Sequence, residues 1–326
     1  MIPASIAIVT AKTRLQGLMA RWGTKGAARF RLAQAAAHLT LQQDVRGRTT
    51  QQQDVDFVQY EQEDQEYQKT IDALRREVEI GYPITIVEKK YLSNFDFRNV
   101  LVVIVVGHDG LVANTAKYAT GLPILGVNPD PARIDGILTP FGLKGMRSAL
   151  DRTLNGRSKI RDVSLAEASM NDGQTMLAFN DFFIGKRSHT SARYTLHYRG
   201  NTEPQSSSGV IVATGAGSTG WLSSVFNMSR GVAQWTGGNS GKAMKMAWED
   251  RKLAWVVREP FESKHSKTGL VAGTLNESEE LVLESLMPES GVIFSDGIEE
   301  DNLEFNSGSS VRFRLAKVLA KLVVPS

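Results

Sequence analysis

The sequence predicts an α/β part followed by an all-β part, divided near residue 150. Three observations predict it. Apolar strand-like runs alternate with helical stretches through residues 1–150, the order of a parallel sheet wound with helices. Through residues 151–326 the apolar pattern changes to period two, which marks half-buried strands. A chain of 326 residues also suffices for two domains of ordinary size.

In chain order, residues 6–10 (Ile-Ala-Ile-Val-Thr) read as a strand. Residues 14–37 read as helix, broken near Gly23 to Gly26. Residues 54–80 are helical in character, with many charge partners four apart. Residues 83–89 form a second strand. Residues 101–106 form a third, apolar throughout as a central parallel strand should be. A helix over 111–119 and a fourth strand over 122–127 complete this part. In the second part, residues 192–198, 209–214, 253–258, 281–286, 292–294 and 311–315 read as strands. Turn signals at Arg199-Gly200-Asn201 and Ser295-Asp296-Gly297 separate them. The final residues are expected to pack back on the first part. Gln42-Gln43 and Gln51-Gln52-Gln53 flank a polar loop, and no internal repeat is visible.

Composition narrows the function. At 41% hydrophobic and 22% charged, the chain has the make-up of a globular protein. A net charge of +3 is too small to argue for nucleic acid. The absence of cysteine removes disulfides, thiolate metal sites and a catalytic thiol, and a reducing cytoplasm is the expected setting. The run 101–106 is far too short to span a bilayer, so no membrane is expected. No secretory signal is visible. The first 43 residues carry Lys12, Arg14, Arg21, Lys25, Arg29 and Arg31 without an acid. Such composition also describes transit peptides. The strand and helix within it favour a folded segment with a basic face, near a phosphorylated ligand.

Two motifs mislead. Gly215, Gly217 and Gly220 satisfy G-x-G-x-x-G after a strand, the spacing of dinucleotide oxidoreductases. That fingerprint needs an acid some 20 residues on, and no Asp or Glu lies between Gly209 and Trp248. The motif also lies far down the chain. A phosphate or nucleotide loop therefore ranks above a hydride-transfer site, with a plain turn as the alternative. Backbone N–H groups of such a loop can approach a polyanion, and the hydroxyls of Thr214, Ser218 and Thr219 stand beside them. Gly237-Gly238-Asn239-Ser240-Gly241-Lys242 nearly spells a P-loop, but Thr236 replaces its first Gly, Ala243 follows the Lys and no strand precedes it. It reads as a surface loop.

Gly107-His108-Asp109-Gly110 joins an apolar strand to a helix, which is the form of a phosphate site. Asp109 stands where open α/β sheets place their ligands, or else caps its helix. Asn180-Asp181 follows Met176-Leu177-Ala178-Phe179. An amide beside a carboxylate there can grip the two hydroxyls of a ribose, or simply make a turn. His189 and His197 lack a third ligand and read as surface or packing residues.

In this order, Gly107-His108-Asp109-Gly110, Gly126-Val127-Asn128-Pro129-Asp130-Pro131, Asn180-Asp181, the 214–221 loop and Asp296-Gly297 resemble the blocks of the NAD kinase family. The likeness covers most of residues 95–315. The entry Ser207-Ser208-Gly209 and the long helical N-terminal part are closer to the mitochondrial-type branch and its bacterial relatives. The resemblance implies a Rossmann-like N-terminal domain, a β-sandwich C-terminal domain and a homodimer or homotetramer. It implies transfer of the γ-phosphoryl of ATP, with Mg²⁺ bridging the donor phosphates, to the 2′-hydroxyl of the adenosine ribose of NAD. The metal ligands stay unassigned, since phosphate and water can supply them.

Carried onto this chain, the resemblance makes Asp109 the base that orients or deprotonates that hydroxyl. Gly107 and Gly110 let backbone approach phosphate. Asn180 and Asp181 hold the nicotinamide ribose, and Thr219, Gly220 and Ser224 line the dinucleotide site beside Thr214, Gly217 and Ser218. Four positions depart from the family pattern. His108 replaces a Gly and is expected to be partly protonated near neutral pH, Leu111 replaces a Thr, Ser208 replaces an Asp, and Trp221 replaces a Tyr. Two other readings stand beside the NAD kinase: a lipid or sphingoid-base kinase of the same superfamily, and a non-catalytic NAD(P)-binding sensor.

Overall fold

The computed structural model describes residues 4–42, 50–239, 241 and 244–325, without the side chains of residues 35–42 and 50–56. Gln43 of the Gln-rich stretch, and Ser240, Lys242 and Ala243 of the P-loop-like stretch, lie outside the described residues. The chain forms two compact units. One comprises Met1–Val112, Ile124–Ser158 and Val324–Ser326, and the other Ala113–Pro123 and Lys159–Val323.

The first unit opens with β1 (Ser5–Thr10), then α1 (Arg14–Trp22), α2 (Lys25–Gln42) and α3 (Thr50–Glu77). Thr13 starts α1 with a capping box: its hydroxyl accepts from Gln16 N, and the Gln16 side chain accepts from Thr13 N. Gly23, at φ 82°, ends that helix and makes the predicted break. Next come β2 (Ile84–Glu88), β3 (Val100–Val106), α4 (Asp109–Ala116), β4 (Pro123–Val127) and α5 (Met146–Leu154). The four strands lie in the order β2-β1-β3-β4, and all three pairings are parallel. β1 is buried along nearly its whole length, which its run of branched apolar residues permits.

In this order the chain steps from β1 to one side and returns to build the other. The reversal falls between β1 and β3, and open α/β sheets bind ligands outside the carboxyl ends of the strands that flank it. Tyr67 of α3 braces that point, since its hydroxyl accepts from Ala11 N at 2.9 Å and donates to Val106 O at 2.8 Å. Burial pushes its phenol up to about 12.

The second unit is built from β5 (Lys159–Met170), β6 (Thr175–Ala178), β7 (Asp181–Lys186), β8 (Ala192–Tyr198), β9 (Asn201–Ser207) and β10 (Val210–Ala213). After α6 (Trp221–Trp235) it continues with β11 (Leu253–Val257), β12 (Ala272–Leu275), β13 (Leu281–Ser285), β14 (Gly291–Ser295), β15 (Ile298–Glu304) and β16 (Ser310–Val324). One sheet runs β12-β11-β10-β7-β14-β15, and its pairings are antiparallel. The other carries β16-β13-β8-β9, with β5 joining β16 to β6. Side chains of both sheets fill one core: Tyr194, Leu196, Leu283 and Phe313 from one, Phe182, Ile184, Val212 and Trp255 from the other. Phe182 and Phe313 meet across it with ring centroids 5.3 Å apart. Each such aromatic contributes about 1.5–3 kcal/mol through burial. This is the expected β-sandwich, and the first unit is the expected α/β part. No helix among the described residues is long and apolar enough to cross a membrane.

Candidate active site

In the first unit the Gly107-His108-Asp109-Gly110 turn leaves the carboxyl end of β3. Gly107 has φ 153°, a backbone state that favours glycine, and its N–H donates to Val127 O at 3.1 Å. α4 begins at Asp109, two residues earlier than the pattern suggests. The Asp109 carboxylate accepts from the backbone N–H of Ile137 at 3.1 Å and of Leu138 at 2.8 Å. The side chain therefore does more than cap a helix, because it is tied to a segment 28 and 29 residues on.

The Gly126-to-Pro131 block shapes that segment. Asn128 Nδ2 donates to Ile134 O at 2.8 Å, and Asn128 Oδ1 accepts from Asp130 N at 3.0 Å. Asn128 N donates to Phe141 O, and Phe141 N to Gly126 O, closing the loop. Gly126 has no room for a Cβ, which would stand 2.0 Å from Leu138 O. The block thus carries the loop whose amides orient Asp109.

His108 remains open to solvent, yet its ring lies over Gly110: a Cβ there would stand 3.0 Å from His108 Cε1. Burial of the ring, then the Lys89 charge, lower its pKa, with Asp109 opposing. That direction runs against the partial protonation expected near neutral pH. Beside this turn is a cavity of about 380 Å³, whose walls include Gly107 and His108 after β3, Lys12 and Arg14 after β1, Tyr67, and Arg133. It occupies the reversal point of the sheet. Arg14 pairs with Glu63, and Arg133 with Asp130 at 3.5 Å.

In the second unit, Asn180 and Asp181 lie at the start of β7, with Asp181 buried. The glycine-rich loop packs directly on them. Thr214 N donates to Asn180 O at 2.9 Å, and Thr214 Oγ1 donates to Phe179 O at 2.5 Å and accepts from Gly217 N at 3.2 Å. A Cβ on Gly217 would stand 2.1 Å from Asn180 O, and one on Gly215 would stand 1.8 Å from Ala247 O. Ser218 Oγ donates to Gly215 O at 2.7 Å and accepts from Met246 N at 3.2 Å. These glycines serve close backbone packing, and the buried hydroxyls of Thr214 and Ser218 are engaged by the fold rather than displayed as donors. Thr219, Gly220 and Ser224 are the exposed members of this set. The P-loop-like stretch begins just after α6, with no strand before it.

Ser208 and Trp221 line a separate cavity of about 470 Å³, together with Phe183, Lys186, Arg187 and Arg258. Trp221 stacks on Phe183, centroids 5.4 Å apart and planes 10° off parallel, while the Arg258 guanidinium sits 5.3 Å from its ring centre. A flat aromatic pair among cations suits a base next to phosphate. Sequence reading missed Lys186, Arg187 and Arg258. Arg258 ends a strand that was read, but only the fold sets it over Trp221. Lys117 was also missed. It is buried, with Nζ donating to Ser295 Oγ at 2.8 Å. The visible signal was a lone Lys in the otherwise uncharged stretch Leu111-Val112-Ala113-Asn114-Thr115-Ala116-Lys117-Tyr118. His197 Nδ1 is engaged with Thr202 Oγ1 at 2.9 Å, and among the described residues no group of three or more His, Asp or Glu could hold a metal ion.

No protein-family model matches the chain. It is 26% identical over 235 residues to a probable NADH kinase of Oryza sativa subsp. japonica, covering 65% of this chain and 67% of that protein. To the NAD kinase of Heliobacterium modesticaldum it is 32% identical over 126 residues, 35% of this chain and 44% of that protein. Its fold matches a yeast NADH kinase solved with NADH (TM-score 0.53, 14% identity, 99% of this chain and 84% of that one). It also matches an Archaeoglobus fulgidus NAD kinase solved with ATP (TM-score 0.51, 18% identity, 79% and 88%). The chain is thus similar in sequence to NAD and NADH kinases and shares the fold of solved members of that group.

Proposed function

We propose that the protein is an NAD kinase, moving the γ-phosphoryl of ATP to the 2′-hydroxyl of the adenosine ribose of NAD to give NADP. The observation that carries this reading is Asp109, fixed by the Ile137 and Leu138 amides at the reversal point of the sheet, beside a cavity edged with Lys12, Arg14 and Arg133. Phosphoryl transfer asks chiefly for positioning and for neutralisation of charge. In this reading Asp109 holds the attacking hydroxyl and accepts its proton. The basic side chains offset phosphate charge, and Gly107 keeps its part of the cavity wall free of a side chain. Asn180 and Asp181 grip a ribose.

The described residues offer no protein cage for a metal. Mg²⁺ therefore fits as an ion carried in by the donor phosphates and water, where it would neutralise charge on the leaving group. A homo-oligomer in the cytoplasm, and a place in the mitochondrial-type branch, belong to the same reading. The likeness to a probable NADH kinase makes NADH the second acceptor to assay.

The test is NADP formation from NAD, ATP and Mg²⁺ by the purified full chain. NADP production is the expected result. A folded protein that binds NAD without forming NADP would be a sensor. Failure to bind NAD, with phosphorylation of a sphingoid base, would make it a lipid kinase.

A further inference from the structure

Asp296 belongs to the one motif block whose chemistry is still unassigned. It forms the β14–β15 hairpin turn with Gly297, at φ 55° and 70°. The residue is partly exposed at the turn, but its carboxylate points inward. Oδ1 accepts from Asn180 N at 2.6 Å and Oδ2 from Phe179 N at 3.1 Å, while Asp296 N donates to Asp181 O at 2.9 Å. One residue thus holds three consecutive backbone positions from more than a hundred residues away. A turn needs none of these bonds, and all three converge on the segment that presents Asn180 and Asp181.

The charged groups around it are Asp181, Lys117, Asp301 and Tyr118. Lys117 Nζ lies 3.7 Å from Asp301 Oδ2, and the Tyr118 hydroxyl donates to Asp301. Burial raises the Asp296 carboxyl, and the Lys117 charge and the three backbone bonds oppose that rise. Burial, then the Asp296 charge, pushes Asp181 up to about 7. Both carboxyls are raised chiefly by burial, and they titrate as a pair.

We propose that Asp296 and Lys117 form a buried clamp that positions the Asn180-Asp181 pair. Asp296 is a positioning residue, not a catalytic one. The inference rests on the reading of Asn180-Asp181 as the ribose-holding pair. At neutral pH an acid at Asp181 can donate a hydrogen bond to a ribose oxygen, whereas a carboxylate there only accepts.

The experiment follows the Asp181 carboxyl by NMR between about pH 5 and 9 in the full chain, assigned with Asp181→Asn, alongside equilibrium binding of NAD. Asp296→Asn removes a like charge, so the Asp181 transition moves to lower pH. Lys117→Met removes an opposing charge, so the pair takes up its proton at higher pH. NAD binding weakens roughly 10-fold or more in Asp296→Asn, as expected when a charged hydrogen-bond partner is lost. Opposite shifts support the clamp, because a purely structural disturbance would not move the transition in both directions. Unchanged transitions, or unchanged NAD affinity in a folded Asp296→Asn, overturn it. If Asp296→Asn does not fold, Lys117→Met decides by its upward shift alone. If the wild-type protein neither binds NAD nor forms NADP, the kinase reading falls, and the titration arm still supports or overturns the clamp.

Discussion

The Gly107–Gly110 turn and the Thr214–Gly220 loop carry the same local signature, glycines between a strand and a helix, and are built for different ends. In the first, the chain is open: His108 and Gly110 reach solvent, and Asp109 is held from outside by two amides. In the second, glycines press against the carbonyls of Asn180 and Ala247, and the hydroxyls of Thr214 and Ser218 are buried in internal bonds. A glycine can therefore mark room for a ligand or the absence of room for its own side chain, and only the neighbours decide which.

The comparison breaks most visibly at Asp109. Asp109→Asn keeps the shape of the turn and removes the proposed base, so turnover should fall roughly 10²–10⁴-fold while NAD binding persists. Equal loss of binding and turnover would shift Asp109 from chemistry to structure.

Two glycine substitutions come next. Gly217→Ala forces a methyl against a backbone carbonyl that cannot rotate away, at a cost of about 1–3 kcal/mol or more. Gly110→Ala meets only the His108 ring, which can turn, and should stay within about 1 kcal/mol of wild type. Chemical denaturation of both variants checks the pair, and equal losses would erase the contrast. Thr214→Val keeps the volume of the loop and loses its internal bonds, for about 1–2 kcal/mol by the same measurement.

The smallest effect belongs to His108. Its folded pKa lies below its unfolded value, so the folded state resists protonation. The neutral ring's contribution is whole above the unfolded pKa and is lost as pH falls through the folded one. His108→Gln should flatten the decline in stability below about pH 6.5. An unchanged acid limb in pH-dependent denaturation would show that the ring's place over Gly110 leaves its titration unaltered.

Much of the fold was legible because its signals are local. The apolar 101–106 run is β3, the strands around β1 are parallel, and Arg199-Gly200 and Asp296-Gly297 both turn with positive φ. Some strands that escaped notice, β9 and β15 among them, lack a strong apolar period. β9 reads Asn-Thr-Glu-Pro-Gln-Ser-Ser and lies at the end of its sheet order, where Pro204 is tolerated. β16 runs on to Val324, past the expected 315, with Lys317 and Lys321 interrupting the pattern. The site was less legible for the same reason. Asp109 could be named from its turn, but the loop that orients it and the hairpin that fixes Asn180 are far off in sequence, and no periodicity signals such distant hydrogen bonds.

The bonds from Ile137 and Leu138 to Asp109 also give the protein a native gauge. Amide hydrogens in an irregular surface segment ordinarily swap with solvent quickly, but these two are sheltered for as long as the carboxylate keeps hold of them. Their deuterium uptake reports the grip on Asp109 without a dye, a label or a mutation. An inhibitor that pulls the carboxylate toward itself would announce its arrival there, in two hydrogens that it never touches.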